Sequence, residues 1–336
     1  MKLPEEYTEE RHHSITVPPK RREGERVDKY LASAIPDLSR SRIQTLIDEG
    51  KVLINGERVK ASTSITPGDE ITVTVPTRPK MTPDPEPIPL EIIYEDARML
   101  AVNKQPGIVV HPGVGNRTGT LVNALLYHTD QLAETDDEIR PGLVHRLDKD
   151  TSGIVLVAKD EETLRRLAVQ FEQRTVEKIY RAWVWGVPDP ESGTVDKAIG
   201  RHPRDRKRFS TQPGGKRAVT HYRILEEHEI VSELELRIET GRTHQIRVHC
   251  RSMGHPVVGD SDYNGRSKRL KTLSVRDREW GARILEIMSR QALHAYEIGF
   301  KHPWTGTRME LHAPLPDDFL RLRSLLEERE RVLYEI

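Results

Sequence analysis

A charged loop that leads into an apolar run is the part of the sequence best suited to chemistry. Residues 140–159 read RPGLVHRLDKDTSGIVLVAK, with Asp148 among basic residues and the apolar run at 154–158. A short β-branched run bounded by turn residues predicts a buried strand. Neighbouring Arg and Lys side chains favour an ionised carboxylate, and a rigid strand is a good support for a reacting group. Asp148 is therefore a candidate reacting group, although an isolated acidic residue in a loop is more often an ordinary turn residue.

A second segment concentrates basic side chains near the start of a predicted helix. Residues 239–260 read ETGRTHQIRVHCRSMGHPVVGD and bring Arg242, His244 and Arg247 close together in sequence. Apolar residues at helical spacing predict a helix that begins at the possible N-cap Thr243 and ends at Gly254. By itself, this pattern is equally typical of a solvated basic helix face.

The same segment contains side chains that could bind a metal, but the spacing of these side chains argues against a metal site. The potential ligands are His244, His249, Cys250 and His255. HExxH and CxxC pairings are both missing, so structural histidines explain the cluster better than a metal does. Neither a complete dinucleotide-binding glycine motif nor a GxxxxGK[ST] motif occurs. The sequence therefore predicts no metal and no cofactor.

The elements before these segments form a small basic module. Apolar spacing predicts a helix over 27–34, and Ser39 is a suitable N-cap for a second helix. A strand at 52–54, an Asn55-Gly56 turn and a strand at 70–75 follow. Arg40, Arg42 and Lys51 are basic residues of this module and candidate nucleic-acid contacts. A purely structural helix–hairpin domain is the alternative interpretation.

A proline-rich segment divides the chain. Six prolines lie within residues 76–89, which predicts an extended spacer. The predicted organisation is an extension at 1–24, a small α/β domain at 25–75, a linker at 76–89 and a larger domain at 90–336. Strands and isolated helices without regular βαβ winding indicate an α+β fold for the larger domain, with a mixed, largely antiparallel sheet.

Composition limits the class of protein. Lys and Arg total 53, Asp and Glu total 53, and mean hydropathy is −0.63. The sequence contains no membrane-spanning apolar run and no secretory signal, and the only cysteine is Cys250. A reducing cytoplasmic location is expected. The basic stretches 201–217 and 266–290 are candidate RNA contacts.

Several motifs together resemble the RluA family of RNA pseudouridine synthases, most closely its RluD-like branch. HRLDKDTSG and TGRTHQIRVH, about ninety residues apart, are the specific ones. VNKQPGIVVHPG, KIYRAWVWG and QALHAYEIGFKHP resemble the supporting motifs, with Gln105 where the family usually has Pro. The residues SRSRIQTLIDEGKVLINGERV resemble the RNA-binding module first described in ribosomal small-subunit protein four.

This resemblance implies an isomerase that converts uridine to pseudouridine in RNA without a cofactor. Asp148 would be the covalent nucleophile, although the sequence does not distinguish attack on the ribose from attack on the base. Tyr180 would lie against the uracil and serve as a general base. Arg247 would pair with the nucleophile, with Arg242 as the competing candidate.

The remaining implied contacts concern the RNA. Leu293 would pack under the reacting base, and Arg146 would fill the place of a flipped nucleotide. Arg242 and His244 are further candidates for substrate binding. The expected partner is large-subunit ribosomal RNA, bound by a monomeric protein that does not associate with membranes. A transfer-RNA synthase and a non-catalytic RNA-binding assembly protein are the alternatives.

Overall fold

The computed structural model describes residues 9–19, 24–77, 83–113, 115–133, 140–205 and 207–334. The chain divides into two compact units, Met1–Met81 and Thr82–Ile336. Part of the predicted linker, residues 78–82, lies outside the described residues. In the described part of the chain, no helix has both the length and the apolar character needed to cross a bilayer.

The smaller unit packs two helices on a four-stranded sheet. Its helices are α1 (Val27–Ala34) and α2 (Arg40–Asp48), and its strands are β1 (Glu9–Thr16), β2 (Val52–Ile54), β3 (Glu57–Arg58) and β4 (Glu70–Thr77). The sheet order is β1-β4-β2-β3. Ser39 caps α2 as predicted, because its Oγ accepts a hydrogen bond from the Arg42 amide at 3.3 Å.

Strand β1 was not predicted, because its residues were interpreted as part of an N-terminal extension. It pairs antiparallel with β4 along its whole length, with Ile15 opposite Ile71. The segment EERHHSIT has too few apolar residues to show a period of two. Since backbone hydrogen bonds to β4 do not depend on side-chain pattern, an edge strand forms from a polar sequence.

The larger unit is built on a nine-stranded mixed sheet, which confirms the α+β fold. The order is β5-β6-β7-β14-β8-β13-β12-β9, with β15 also paired to β14. The short strands β10 and β11 form a separate hairpin. The strands are β5 (Glu91–Glu95), β6 (Met99–Lys104), β7 (Ser152–Ala158), β8 (Glu177–Trp185), β9 (Ser192–Asp196), β10 (Ile199–Arg201), β11 (Phe209–Thr211), β12 (Val219–His228), β13 (Val231–Ile238), β14 (Leu293–Lys301) and β15 (Arg308–His312).

In the described residues of this unit, six helices accompany the sheet. They are α3 (Leu121–His128), α4 (Glu161–Glu172), α5 (Gln245–Ser252), α6 (Ser267–Leu270), α7 (Val275–Ile287) and α8 (Asp317–Tyr334). The predicted N-cap Thr243 is wrong, because His244 is the N-cap of α5 and has a left-handed backbone with φ +57°. The Gln245 side chain accepts the Arg242 amide proton instead, at 3.1 Å.

The parallel pair β7–β14 lies at the centre of the sheet and requires a glycine. Gly153 faces Ala295 in register and has φ +112°. A Cβ at Gly153 would overlap the backbone of Ala295, so only glycine allows this close approach. The contact sets the separation between the loop before β7 and the start of β14.

Candidate active site

Asp148 lies in the loop immediately before β7, at the edge of a buried strand. Every residue of β7 is buried, so the strand is a rigid support. The Thr151 amide donates to the Asp148 carbonyl at 3.1 Å and forms a turn between them. The Asp148 side chain remains 20% exposed, which leaves the carboxylate accessible from solvent.

Lys104 fixes the back of this loop. It is almost completely buried, and its Nζ donates to the carbonyl oxygens of Gln105, Ile108 and Lys149, each at 2.9 Å. Burial lowers the pKa of Lys104 to about 7, against the opposing effect of the Asp150 charge. The VNKQPG motif and the Asp148 loop are therefore joined through one side chain.

Arg290 fixes the other side of the loop. Its Nη1 donates to the carbonyls of Asp150 and Leu293 at 3.0 and 3.3 Å, while Asp318 holds its remaining nitrogens at 2.7 and 2.9 Å. The guanidinium is buried. Because one planar group bonds both segments, the loop and the start of β14 keep a fixed distance.

Arg247 of α5 is the basic partner of Asp148. Its Nη1 donates to Asp148 Oδ2 at 3.1 Å, and its side chain is 5% exposed. The buried Asp260 accepts from Nε and Nη2 at 2.7 and 2.9 Å, and Asp262 accepts from Nη2 at 2.8 Å. Burial opposes the charged form, but the hydrogen bonds and charges of these acids raise the pKa of Arg247. The guanidinium therefore remains a fixed cation beside Asp148.

His244 also lies near the same carboxylate oxygen. Its Nε2 is 3.8 Å from Asp148 Oδ2, and its Nδ1 is 2.8 Å from the Tyr263 hydroxyl. The same hydroxyl accepts the Phe209 amide proton at 2.9 Å. Burial lowers the pKa of His244, whereas the Asp148 charge acts to raise it. The imidazole is therefore neutral at neutral pH.

Tyr180 and Leu293 provide the apolar part of the cavity. Tyr180 lies in β8 opposite Ala295 of β14, and Leu293 is buried at the start of β14. Desolvation raises the pKa of the Tyr180 phenol, and the Asp148 charge adds to the shift. The phenol is therefore protonated in the free protein.

These side chains surround one open cavity of about 100 Å³. This volume is smaller than the several hundred Å³ typical of drug-sized ligands, so it suits one flat ring. Its lining contains Arg146, Asp148, Tyr180, Arg242, His244, Arg247 and Leu293. The structure therefore brings together all seven site residues predicted in the larger unit.

The contacts separate the two arginines that the sequence left in competition. Arg242 Nε donates to the Arg217 carbonyl at 3.1 Å, whereas Arg247 contacts Asp148. Arg146 is exposed at the cavity mouth. The preceding His145 is structural: its Nε2 accepts the Leu156 amide proton at 2.9 Å, and burial lowers its pKa to about 3.

The predicted RNA-binding residues of the smaller unit have different surroundings. Arg40 donates through Nε and Nη2 to the fully buried Asp28, at 3.1 and 2.9 Å. Lys51 is 3.7 Å from a Glu10 carboxylate oxygen. Arg42 is half-buried near the start of α2, and no ion pair of its side chain is found within the described ranges.

The histidines considered as possible metal ligands form hydrogen bonds with other groups. His249 contacts Thr220 Oγ1 at 2.9 Å and the Lys197 carbonyl at 3.0 Å, and His255 contacts the Trp185 carbonyl at 2.9 Å. Over the residues that the structure covers, no group of three or more His, Cys, Asp or Glu side chains could hold a metal ion.

Sequence reasoning missed five residues that shape the site. They are Lys104, Asp260, Asp262, Tyr263 and Arg290. Asp260 ends the basic segment and the residues SDY follow it directly, so proximity in sequence was an available signal for three of them. No local pattern indicates that Lys104 and Arg290 are buried.

Comparison with family models places both units among known domains. Residues 98–252 match the model described as RNA pseudouridylate synthase, and residues 25–71 match the S4 domain. A Bacillus subtilis relative, named an uncharacterized RNA pseudouridine synthase YlyB, is 44% identical over 89% of this chain and 93% of its own length. The ribosomal large subunit pseudouridine synthase D of Pasteurella multocida is 43% identical over 90% of this chain and 92% of its own.

Solved structures agree with these matches. The human RNA pseudouridylate synthase domain containing 1 aligns with a TM-score of 0.51 and 28% identity, over 67% of this chain and 83% of its own. The human RNA pseudouridylate synthase domain containing 4 aligns with a TM-score of 0.52 and 25% identity, over 70% and 93%. The similarity therefore extends from sequence to the arrangement of strands.

Proposed function

The chain belongs to the family of RNA pseudouridine synthases, and on that basis we propose that it modifies large-subunit ribosomal RNA with Asp148 as covalent nucleophile. The observation that supports this assignment best is the contact between Asp148 Oδ2 and Arg247 in a cavity sized for one ring. The synthases of Pasteurella multocida and Vibrio cholerae whose names specify the ribosomal large subunit are 43% and 41% identical to this chain. Their similarity supports the same substrate class.

The reaction requires a nucleophile but no external reagent. The bond between N1 of uracil and C1′ of ribose breaks, a bond from C5 to C1′ forms, and one proton moves from C5 to N1. A carboxylate that bonds transiently to the nucleotide divides this rearrangement into easier steps. Asp148 suits this role because it is exposed to the cavity and supported by a rigid strand.

Arg247 orients the nucleophile. It donates to Oδ2 of Asp148, and Asp260 and Asp262 hold the guanidinium in place. The arginine is thus oriented before substrate binds, and no reorganisation is needed during the reaction.

The uridine must leave the RNA stack to reach this cavity. Unstacking costs a few kcal/mol, which contacts with the base and backbone must offset. Tyr180 and Leu293 offer apolar surface to the uracil, and Arg146 at the mouth offers a planar cation for the vacated position. Because the raised pKa keeps the Tyr180 phenol protonated at neutral pH, we assign it to packing and hydrogen-bond donation.

The same proposal includes a monomer acting in the cytoplasm. The only cysteine, Cys250, is buried, which fits a reducing compartment.

The test combines modification mapping with one substitution. We expect cells lacking this protein to lose pseudouridine at specific large-subunit ribosomal RNA positions, and the wild-type gene to restore it. Asp148→Asn should lower turnover by roughly four orders of magnitude or more. The purified variant should retain its RNA affinity, because the change removes the nucleophile and not a basic contact.

Asp150→Asn is the matched control, an acid-to-amide change two residues further along the same loop. It should retain turnover. Loss of pseudouridine from transfer RNA alone would contradict the ribosomal substrate. Restoration by Asp148→Asn would instead contradict the nucleophile assignment and support a non-catalytic assembly role.

A further inference from the structure

Two donors face one oxygen of Asp148. Arg247 Nη1 is 3.1 Å and His244 Nε2 is 3.8 Å from Oδ2. Among the described residues, no hydrogen bond to Oδ1 is found. The oxygen without a donor has the more available lone pairs, which favours Oδ1 as the atom that bonds to the nucleotide. Oδ2 then becomes the carbonyl oxygen of the adduct and stays beside both donors.

The position of the proton on the His244 ring depends on its hydrogen bond with Tyr263. The Tyr263 hydroxyl accepts the Phe209 amide proton and lies 2.8 Å from His244 Nδ1. The hydroxyl still has its own proton to donate, and Nδ1 is at donation distance. When the hydroxyl donates to Nδ1, the neutral ring carries its proton on Nε2, toward Asp148.

We propose that His244 is a catalytic residue that donates its Nε2 proton in a hydrogen bond to Asp148 Oδ2, and that Tyr263 is the positioning residue that fixes this tautomer. The inference rests on the proposed role of Asp148 as nucleophile. The 3.8 Å separation closes when the nucleotide binds, as hydrogen bonds of free active sites commonly do.

The chemistry explains why such a donor is useful. Oδ1 bonds to the nucleotide either at C1′, with cleavage of the N1–C1′ bond, or at C6, with opening of the C5=C6 π bond. In both cases a carboxylate electron pair forms the new bond, and the pair of the broken bond carries the negative charge to the uracil ring. When that bond breaks, the pair and the charge return. The hydrogen bond from His244 to Oδ2 strengthens as the charge returns, so it accelerates release of the adduct. No proton is transferred, and no co-reactant is required.

Neutrality of the ring is part of this arrangement. A second cation beside Arg247 would stabilise the free carboxylate before attack and make it a weaker nucleophile. The groups around the ring are Asp148, Phe209, Arg247, Asp260, Asp262 and Tyr263. Burial lowers the pKa of His244 and raises that of Tyr263, so both groups remain neutral at neutral pH.

The decisive variants separate the two ring nitrogens. His244→Gln places an amide donor near the former Nε2, whereas His244→Asn reaches only as far as the former Nδ1. Asn also tolerates the left-handed backbone at this position. At saturating concentrations of an RNA that the wild type modifies, we expect Asn to lower the single-turnover rate roughly ten- to a hundredfold. Gln should recover most of it, with RNA affinity equal in both.

Nitrogen-15 shifts of the histidine rings in the full chain provide a readout that does not depend on activity. The resonances lost in His244→Asn identify the ring, and we expect them to show an unprotonated Nδ1 and a protonated Nε2 in the wild type. Tyr263→Phe should give a mixture of tautomers and a slower turnover. The part of the acid loss of wild-type turnover that accompanies protonation of His244 should be absent in His244→Gln.

The outcomes distinguish this inference from the proposed function. Equal rates for the Asn variant and the wild type, or a protonated Nδ1 in the wild type, would overturn the role of His244 while Asp148→Asn remained inactive. A wild-type protein that forms no pseudouridine would overturn the proposed function and, with it, the catalytic role of His244.

Discussion

Asp28 in the smaller unit and Asp148 in the larger unit are both paired with arginine, but the buried partner differs. The Asp28 side chain is fully buried, whereas Arg26 and Arg40 beside it are 43% and 46% exposed. At the second pair the relation is reversed, with Arg247 5% exposed and Asp148 20% exposed. The same two residue types therefore present opposite charges to solvent.

The difference shows how an ion pair can orient a group without neutralising its function. The buried partner is fixed by packing and holds the exposed partner in one direction. In the smaller unit the exposed partners are guanidinium groups, which suit phosphate oxygens. In the larger unit the exposed partner is a carboxylate, which suits attack on a nucleotide. We therefore expect substitution of the buried partner to affect both folding and function in each unit.

Among substitutions of the buried partner in the two ion pairs, Arg247→Met should have the largest effect on stability and turnover. This change leaves Asp260 and Asp148 without their cation, and removing one partner of a buried pair costs about 3–5 kcal/mol. Turnover at saturating RNA should fall at least about a hundredfold. Denaturant unfolding and single-turnover kinetics measure the two effects. Arg251→Met, one turn further along α5, is the control that should leave both nearly unchanged.

A double variant sharpens this result. Arg247→Met with Asp260→Asn removes the unpaired buried charge together with the arginine, so part of the lost stability should return. Turnover should stay low, because Asp148 still lacks its donor. Recovery of both quantities would show that Arg247 acts only through folding and would contradict the comparison.

An intermediate effect is expected from Asp28→Asn. Burial alone would raise the pKa of Asp28, but hydrogen bonds from Arg26, Gln44 and Arg40 hold it well below the ordinary range. Losing these charge-assisted bonds should cost about 1–3 kcal/mol of unfolding free energy at neutral pH. The wild type should lose this contribution as pH falls below about 4, so the two proteins should converge in acid. Unfolding curves at several pH values check this, and a constant difference down to acid pH would contradict it.

The smallest effects on stability and RNA affinity are expected from substitutions of two arginines near the start of α2. Arg40→Ala removes one partner of Asp28, so it should lower both the stability of the unit and RNA affinity. Arg42→Ala should lower RNA affinity alone. Each change should reduce the slope of log affinity against log salt by about one or less. Salt-dependent binding measurements test the two slopes. Unfolding measurements test the difference between the variants, because only Arg40→Ala should lower stability.

Much of the fold could be predicted because its local signals agree with tertiary packing. The helix over 27–34, the Ser39 cap and the buried run at 154–158 are all present as expected. The polar strand β1 was not predicted, because backbone hydrogen bonds to β4 define it and its sequence has no apolar alternation. The N-cap of α5 was misassigned because the left-handed turn at His244 has no local signature.

The site shows a similar division between local and long-range information. The pairing of Asp148 with Arg247 spans 99 residues, and it was predicted from motif resemblance, not from spacing. Proximity in sequence pointed to Asp260 and Asp262, but their hydrogen bonds with Arg247 were not predicted, because they depend on how the chain after α5 returns to the helix. Burial of Lys104 depends likewise on three carbonyl groups that converge only in the folded protein.

The absence of a side chain at Gly153 has a consequence for interpreting inherited or engineered variants. A methyl group there would meet Ala295 and push two central strands apart. Asp148 and Leu293 extend from the ends of those strands, so they would drift apart although neither had been changed. An uncharged substitution at Gly153 would therefore lower turnover in an assay. The loss would be attributed wrongly to the catalytic residues, although none of them had been changed.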